Sequence, residues 1–321
     1  VTQHNDYTIA RQEYDQIMTI CHNLRQALTG ISGILVTPFD THDEITTAPL
    51  IPIVDRAISA GVHILVSNGN TGEFYGLTTS ESEYMVQTTA EIINGRVPLV
   101  AGIGKSVKDA CQLAKASAKA GADALMIHQP PDPFVAPRGI VEYIKRVSDA
   151  GDGLPLVLYL RNDLIGTDGI KALCDIEGVI GVKWATPNPM NLAAAMMACD
   201  SSIIWVGGLA EVWAPALYAL GARGFTSGLI NVWPEHSVSI HAALEAGNYD
   251  QARALITRMS TFEDVRAQEM NGTNVTGVKT ALQLMGNDCG PTRPPSAWPL
   301  TDQQKNDLKT MLSTEKMLDS F

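Results

Sequence analysis

The sequence predicts an α/β protein built as a (β/α)₈ TIM barrel, and three observations carry that prediction. From residue 31 onward, short apolar runs alternate with longer segments of helical period. Glycines at 61, 95, 121, 151, 178 and 221 punctuate the approach to many of these runs, where a glycine is expected to close a helix ahead of a strand. Their intervals mostly measure 26 to 34 residues, the size of one βα unit, and the 43 residues from Gly178 to Gly221 hold two units that break near Asp200–Ser202. A barrel of eight units needs ~250 residues, and residues 31–246 supply about that length. A doubly wound open sheet is the alternative. It has fewer strands and often a glycine-rich phosphate turn after the first, which GILVTPFD at 33–40 lacks.

The elements follow in chain order. Residues 10–28 set Tyr14, Ile17, Met18, Cys21, Leu24 and Leu28 on one helical face, and Gly30 ends that helix. Residues 1–30 are therefore read as an N-terminal helical extension. The barrel strands are expected at Ile34–Val36, Ile64–Val66, Leu99–Ala101, Ala124–Ile127, Leu156–Tyr159, Ile180–Lys183, Ile203–Val206 and Gly224–Thr226. Residues 247–321 form a C-terminal helical region with segments near 249–269, 276–286 and 301–314, joined by the proline-rich CGPTRPPSAWP at 289–299.

Composition narrows the function. With 45% hydrophobic and 18% charged residues among 321, the chain reads as a globular protein with a sizeable core. A net charge of −11, with no run of Lys and Arg longer than two, disfavours a nucleic-acid surface but not a local anion site. The five scattered cysteines match no zinc spacing, and no H-x-H, HExxH or carboxylate cluster appears, so no metal and no cofactor is expected. No apolar stretch approaches the ~20 residues of a membrane span, and the polar start VTQHNDYTIARQEYDQ has no signal-like core. A cytoplasmic protein without a membrane partner is the expectation.

In such a barrel the chemistry sits at the C-terminal ends of the strands. Lysine stands there in GVIGVKWAT (178–186), an apolar run where an ammonium is costly. Lys183 either snorkels to water or is a desolvated amine able to form a Schiff base. Tyr159 ends the preceding strand, as an ordinary amphipathic tyrosine or as a proton donor and acceptor. GNTGE at 69–73 is a tight turn, or a set of free N–H groups for a carboxylate with the Thr71 hydroxyl beside them. A lone His128 is more often structural, and the tryptophans read as packing.

These residues converge on a family. GILVTPF (33–39), GNTGEFYGLTTSE (69–81), PLVAGIG (98–104), AGADALMI (120–127), PLVLY (155–159), GVIGVKWAT (178–186) and GGLAE (207–211) occur in order. Together they resemble the class I aldolase superfamily of dihydrodipicolinate synthase and N-acetylneuraminate lyase. The resemblance implies that Lys183 is the Schiff-base lysine, Tyr159 the acid/base phenol and Thr71 its relay partner. It implies that the Asn70 and Thr71 amides hold the carboxylate of a 2-oxo acid, and that Thr226 stands where the family uses a main-chain carbonyl. Gly69 and Gly208 complete the substrate-binding set, and a homo-oligomer, dimer or tetramer, is implied.

The departures bear on substrate. The synthase's Thr-Pro-Tyr-Tyr stretch is His128-Gln129-Pro130-Pro131 here, and its second-substrate arginine is Leu164. YLRND (159–163) is more similar to the Tyr-Asn-Arg-Asp-Asn stretch of 5-dehydro-4-deoxyglucarate dehydratases, with Leu160 in place of asparagine. Arg161 would then bind a distal carboxylate, or pair structurally with Asp163. A sugar-acid dehydratase is the expectation. A pyruvate-dependent aldolase or dihydrodipicolinate synthase-like enzyme, and a non-catalytic sugar-acid binder, are the alternatives.

Overall fold

Eight parallel strands close into a barrel in chain order: β1 (Ile31–Ile34), β2 (Ile64–Ser67), β3 (Leu99–Ile103), β4 (Ala124–His128), β5 (Leu156–Leu160), β6 (Val179–Trp184), β7 (Ile204–Gly207) and β8 (Phe225–Ser227). The computed structural model describes residues 23–318, 320 and 321. The strands read as continuous apolar runs because both faces are covered. On β4, Ala124 and Met126 point into the barrel with Ile64, Val66, Val100, Val157 and Tyr159, whereas Leu125 and Ile127 point out to the helical layer.

Each strand is followed by a helix, from Leu50–Ala60 after β1 to Pro234–Glu245 after β8. Local chemistry starts several of them. Thr78 and Glu81 form a capping box at the helix Thr79–Ile93, and the Ser106 side chain caps Val107–Ala120. Three further long helices, Tyr249–Arg266, Asn274–Leu284 and Asp302–Thr314, occupy the C-terminal region at nearly the expected positions. Among the described residues no helix is long and apolar enough to cross a membrane.

Residues 23–28 are helical; the rest of the helix expected over 10–28 lies outside the described residues. Leu24 and Leu28 are buried against the barrel interior. The Arg25 guanidinium donates to the Ser202 carbonyl just ahead of β7, which places this helix at the N-terminal end of the barrel.

The first strand differs from the expectation. It spans Ile31–Ile34 rather than Ile34–Val36. The Asn231 side chain takes over the edge: it accepts from the Val36 N–H at 3.1 Å and donates to the Ile34 carbonyl at 2.8 Å. After a last ladder bond from the Leu35 N–H to the Val66 carbonyl at 3.1 Å, residues 36–38 leave the ladder although they stay buried. Gly151 also departs from the left-handed cap conformation, with φ −85°.

Candidate active site

Register places the predicted residues in one layer. Tyr159 on β5 pairs with Lys183 on β6, and His128 on β4 pairs with Tyr159. Alternation along β5 and β6 turns Tyr159 and Lys183 into the barrel near its C-terminal end. Lys183 is only 4% exposed, and its Nζ lies 3.9 Å from the centre of the Tyr159 ring. Burial, and then the nearby Arg161 charge, lower the Lys183 amine from its ordinary 10.5 to about 7. Burial pushes the Tyr159 phenol up to about 12, against the pull of Arg161 and of a hydrogen bond from Asn70. The arrangement offers a partly neutral amine beside a protonated phenol at neutral pH.

The turn after β2 approaches from the side. Residues Asn70–Gly72 form a single 3₁₀ turn whose internal hydrogen bonds use the N–H groups of Gly72, Glu73 and Phe74. Among the described residues, the Asn70 and Thr71 N–H groups take no part in that pattern. Thr71 is buried, but the partner of the Tyr159 hydroxyl is the Asn70 amide, which donates at 2.9 Å. The residue expected to hold a carboxylate through its backbone thus also touches the phenol through its side chain.

Gly69 is required by crowding. A Cβ there would stand 2.3 Å from Ile34 Cγ2 on β1. Gly69→Ala is expected to push the turn off β1 and to lower kcat/KM by about 10²-fold, the scale of an ~1 Å misplacement. Ile34→Ala in the same chain should recover part of the loss in steady-state assays.

The remaining predicted residues spread around the rim. Thr226 lies within β8, buried and paired in register with Ser32. Gly208 follows β7, where its N–H donates to the Trp184 carbonyl at 2.6 Å and a Cβ would sit 2.7 Å from that oxygen. Arg161, exposed, borders a cavity of about 570 Å³ together with Tyr75, Gln129, Pro131, Asn162 and Leu164. Lys183 and Tyr159 are not on the lining of that cavity. Gln129 Oε1 accepts from the Arg161 and Asn162 N–H groups at 2.7 Å each, which fixes the chain leaving β5. Asp163 does not pair with Arg161; it accepts from the Asn191 side chain at 2.6 Å.

His128 is structural in its contacts. Its Nε2 bonds the Asn68 carbonyl at 2.9 Å, and its ring stacks on Phe74 at 4.2 Å. Burial drops it to about 3, so it is neutral. Trp184 and Trp205 pack edge to face in the core.

Sequence reasoning missed a second buried lysine. Lys279, on the helix Asn274–Leu284, is fully buried and pairs with Glu73 at 2.7 Å, directly after the Asn70–Gly72 turn. Its Nζ also donates to the Pro291 carbonyl at 2.8 Å, and the Arg293 N–H donates to Glu73 Oε2 at 2.8 Å. The C-terminal region therefore braces the turn. The signal was present in VTGVKTAL, a lysine in an apolar stretch like that of Lys183.

Known proteins share this architecture and its sequence. A crystal structure of dihydrodipicolinate synthase from Oceanobacillus iheyensis superposes with a TM-score of 0.87 at 36% identity, over 91% of this chain and 98% of that one. A probable 5-dehydro-4-deoxyglucarate dehydratase of Bacillus subtilis is 27% identical over 293 residues, 90% of this chain and 94% of its own length. An uncharacterized DapA-like lyase of Halobacterium salinarum is 32% identical, over 84% of this chain and 88% of its own length. The Dihydrodipicolinate synthetase family model matches residues 27–315. Since that match takes in all eight strands and the C-terminal helices that brace the Asn70–Gly72 turn, the chain belongs to the dihydrodipicolinate synthetase family of lyases.

Proposed function

We propose that the protein is a Schiff-base-forming lyase acting on a 2-oxo acid, of the 5-dehydro-4-deoxyglucarate dehydratase type. The observation that carries this reading is the buried Lys183 amine, lowered to about 7, facing a buried Tyr159 phenol at 3.9 Å from ring centre to nitrogen. The substrate carboxylate docks on the Asn70 and Thr71 N–H groups, with Gly69 keeping the turn close to β1. Thr226 and Gly208 line the opposite rim, and Arg161 reaches a distal carboxylate. The neutral Lys183 amine attacks the keto carbon. Tyr159 protonates the carbonyl oxygen, which leaves as water when the iminium forms. The iminium then draws electrons from the neighbouring carbon, the Tyr159 phenolate removes its proton and passes it to the β-hydroxyl, which leaves as water. The new C=C bond extends the electron sink to the carbon bearing the distal carboxylate, whose C–C bond breaks to release CO₂.

The same intermediate serves C–C cleavage or condensation, and the 36% identity to a dihydrodipicolinate synthase over 91% of the chain favours that as the second reading. Products separate the two: water and CO₂ for the dehydratase, release or consumption of pyruvate for the aldolase. The protein is expected to work in the cytoplasm as a homodimer or homotetramer. Phe134, Leu164 and Met197, each at least 88% exposed, support the oligomer, which light scattering tests.

The test of the chemistry is borohydride trapping with pyruvate, 2-oxo-3-deoxygluconate and 5-dehydro-4-deoxyglucarate, read by mass spectrometry. An adduct on Lys183 is expected. No adduct with any of them in folded protein would sink the reading and leave a non-catalytic binder. Because lysine reacts only when neutral, the trapping rate should rise about tenfold per pH unit below about 7 and level off above it.

A further inference from the structure

A buried arginine from the C-terminal region reaches the same turn. Arg266 closes the helix Tyr249–Arg266 and is 4% exposed. Two glycines clear its path. A Cβ on Gly277 would stand 3.0 Å from Arg266 Cγ, and a Cβ on Gly228 would stand 2.6 Å from its Nη2. That same point beside Gly228 is 3.1 Å from Thr71 Oγ1, so the guanidinium and the Thr71 hydroxyl border one spot just past β8. Gly228 has φ −87°, which any residue adopts, so the glycine is there for space and not for conformation.

The arginine is held from behind. Nε donates to the Asn274 carbonyl at 3.2 Å, Nη2 to Asn274 Oδ1 at 3.0 Å, and Nη1 pairs with Glu263. A second buried acid nearby, Glu211, accepts from Ser227 and Ser237 at 2.5 and 2.6 Å. Burial, and then Glu263, raise its carboxyl to about 7. Glu263 pairs with the guanidinium through Nη1, while Nη2, which donates to Asn274 Oδ1, is the atom that a Cβ on Gly228 would meet.

We propose that Arg266 is a positioning residue of the active site: its guanidinium fills the space left at Gly228, borders the Thr71 side of the turn, and turns the positive end of its pair with Glu263 toward it, which favours 2-oxo acids in their carboxylate form. This rests on the reading of residues 69–72 as the carboxylate site. The pair is neutral as a whole, but with Glu263 on Nη1 and Gly228 at Nη2 its dipole is oriented, and at this depth it is poorly screened and acts on the bound anion rather than on the chemical step.

The test is the pyruvate concentration that half-saturates borohydride trapping on Lys183. Gly228→Ala, whose methyl displaces the guanidinium, should raise it about tenfold while the maximal trapping rate stays within about twofold. Pyruvamide, which lacks the charge, should trap alike in wild type and Gly228→Ala, an outcome that a general loosening of the site would not give. Arg266→Met should match Gly228→Ala, Arg266→Lys should fall between, and the double variant should be no worse than Arg266→Met, because the methyl has nothing left to displace. Should Arg266→Met fail to fold with Glu263 unpaired, the Gly228→Ala comparison decides alone. Unchanged half-saturation in Gly228→Ala, or equal losses for pyruvate and pyruvamide, overturns the proposal. Absence of any adduct in the wild type overturns the reading of the site itself, and this inference with it.

Discussion

Lys183→Ala is expected to lose borohydride trapping entirely and at least about 10³-fold in turnover, because a covalent nucleophile has no substitute in a site built around it. The folded state should not suffer. Lys183 is buried with its amine lowered from 10.5 to about 7, and no carboxylate contributes to that shift. Between pH 7 and 10.5 the unfolded chain therefore holds a proton that the folded chain has released. The folded state is penalised in full below about 7, and the penalty vanishes as pH rises through 10.5. Lys183→Met, which keeps the volume and removes the amine, should unfold at higher denaturant concentration than wild type. The gain should be largest near pH 6.5 and nearly gone at pH 10.5. Denaturation midpoints at several pH values check this; equal midpoints at pH 6.5 would mean that Lys183 is not desolvated in solution.

Lys279→Ala is expected to be the most destabilising single change at this site, by about 3–5 kcal/mol, the scale of breaking one side of a buried ion pair. Glu73, 8% exposed, would keep only the Arg293 N–H as a partner for its charge. Because Glu73 directly follows Gly72, the relaxation should reach the turn, so kcat/KM falls along with stability. The paired change Glu73→Gln with Lys279→Met should recover most of the stability, since two neutral groups need no counter-charge. Chemical denaturation of wild type, Glu73→Gln, Lys279→Met and the double variant gives the coupling. A double variant no more stable than Lys279→Ala would show that the lysine acts through packing on Phe39, 4.3 Å from its Nζ to the ring centre, and not through the carboxylate.

The two lysines show how far the sequence could be read. Both stand in apolar runs, VIGVKW and VTGVKTAL, and both are buried. The glycine spacing and apolar runs made the barrel legible, because strand and helix periods are local properties of the chain. With the barrel came the expectation that Lys183 and Tyr159 share a rim, which register on β5 and β6 meets. Partner choice was not legible. Lys279 finds Glu73 across some two hundred residues, and nothing local to either tells a salt-bridged lysine from a solitary one. The same holds for Arg266, whose route depends on Gly228 and Gly277, and for Asn231, whose amide ends β1 two residues early by replacing its ladder. Each is a contact between distant segments that only the closed fold brings together.

Leu24 and Leu28 close the floor of the barrel below Ile64 and Ala124. The interior is thus filled at that end by apolar side chains, and on the proposed mechanism traffic to Lys183 enters from the C-terminal side and is last in, first out. What is tethered to Lys183 would then lie inward of any second molecule. A fragment released from the outer part of the substrate must depart before the tethered remainder can be freed, and a co-substrate can enter only after the tether has formed. Steady-state kinetics should accordingly show an obligatory order of binding and release, imposed by the shape of the vessel rather than by relative affinities.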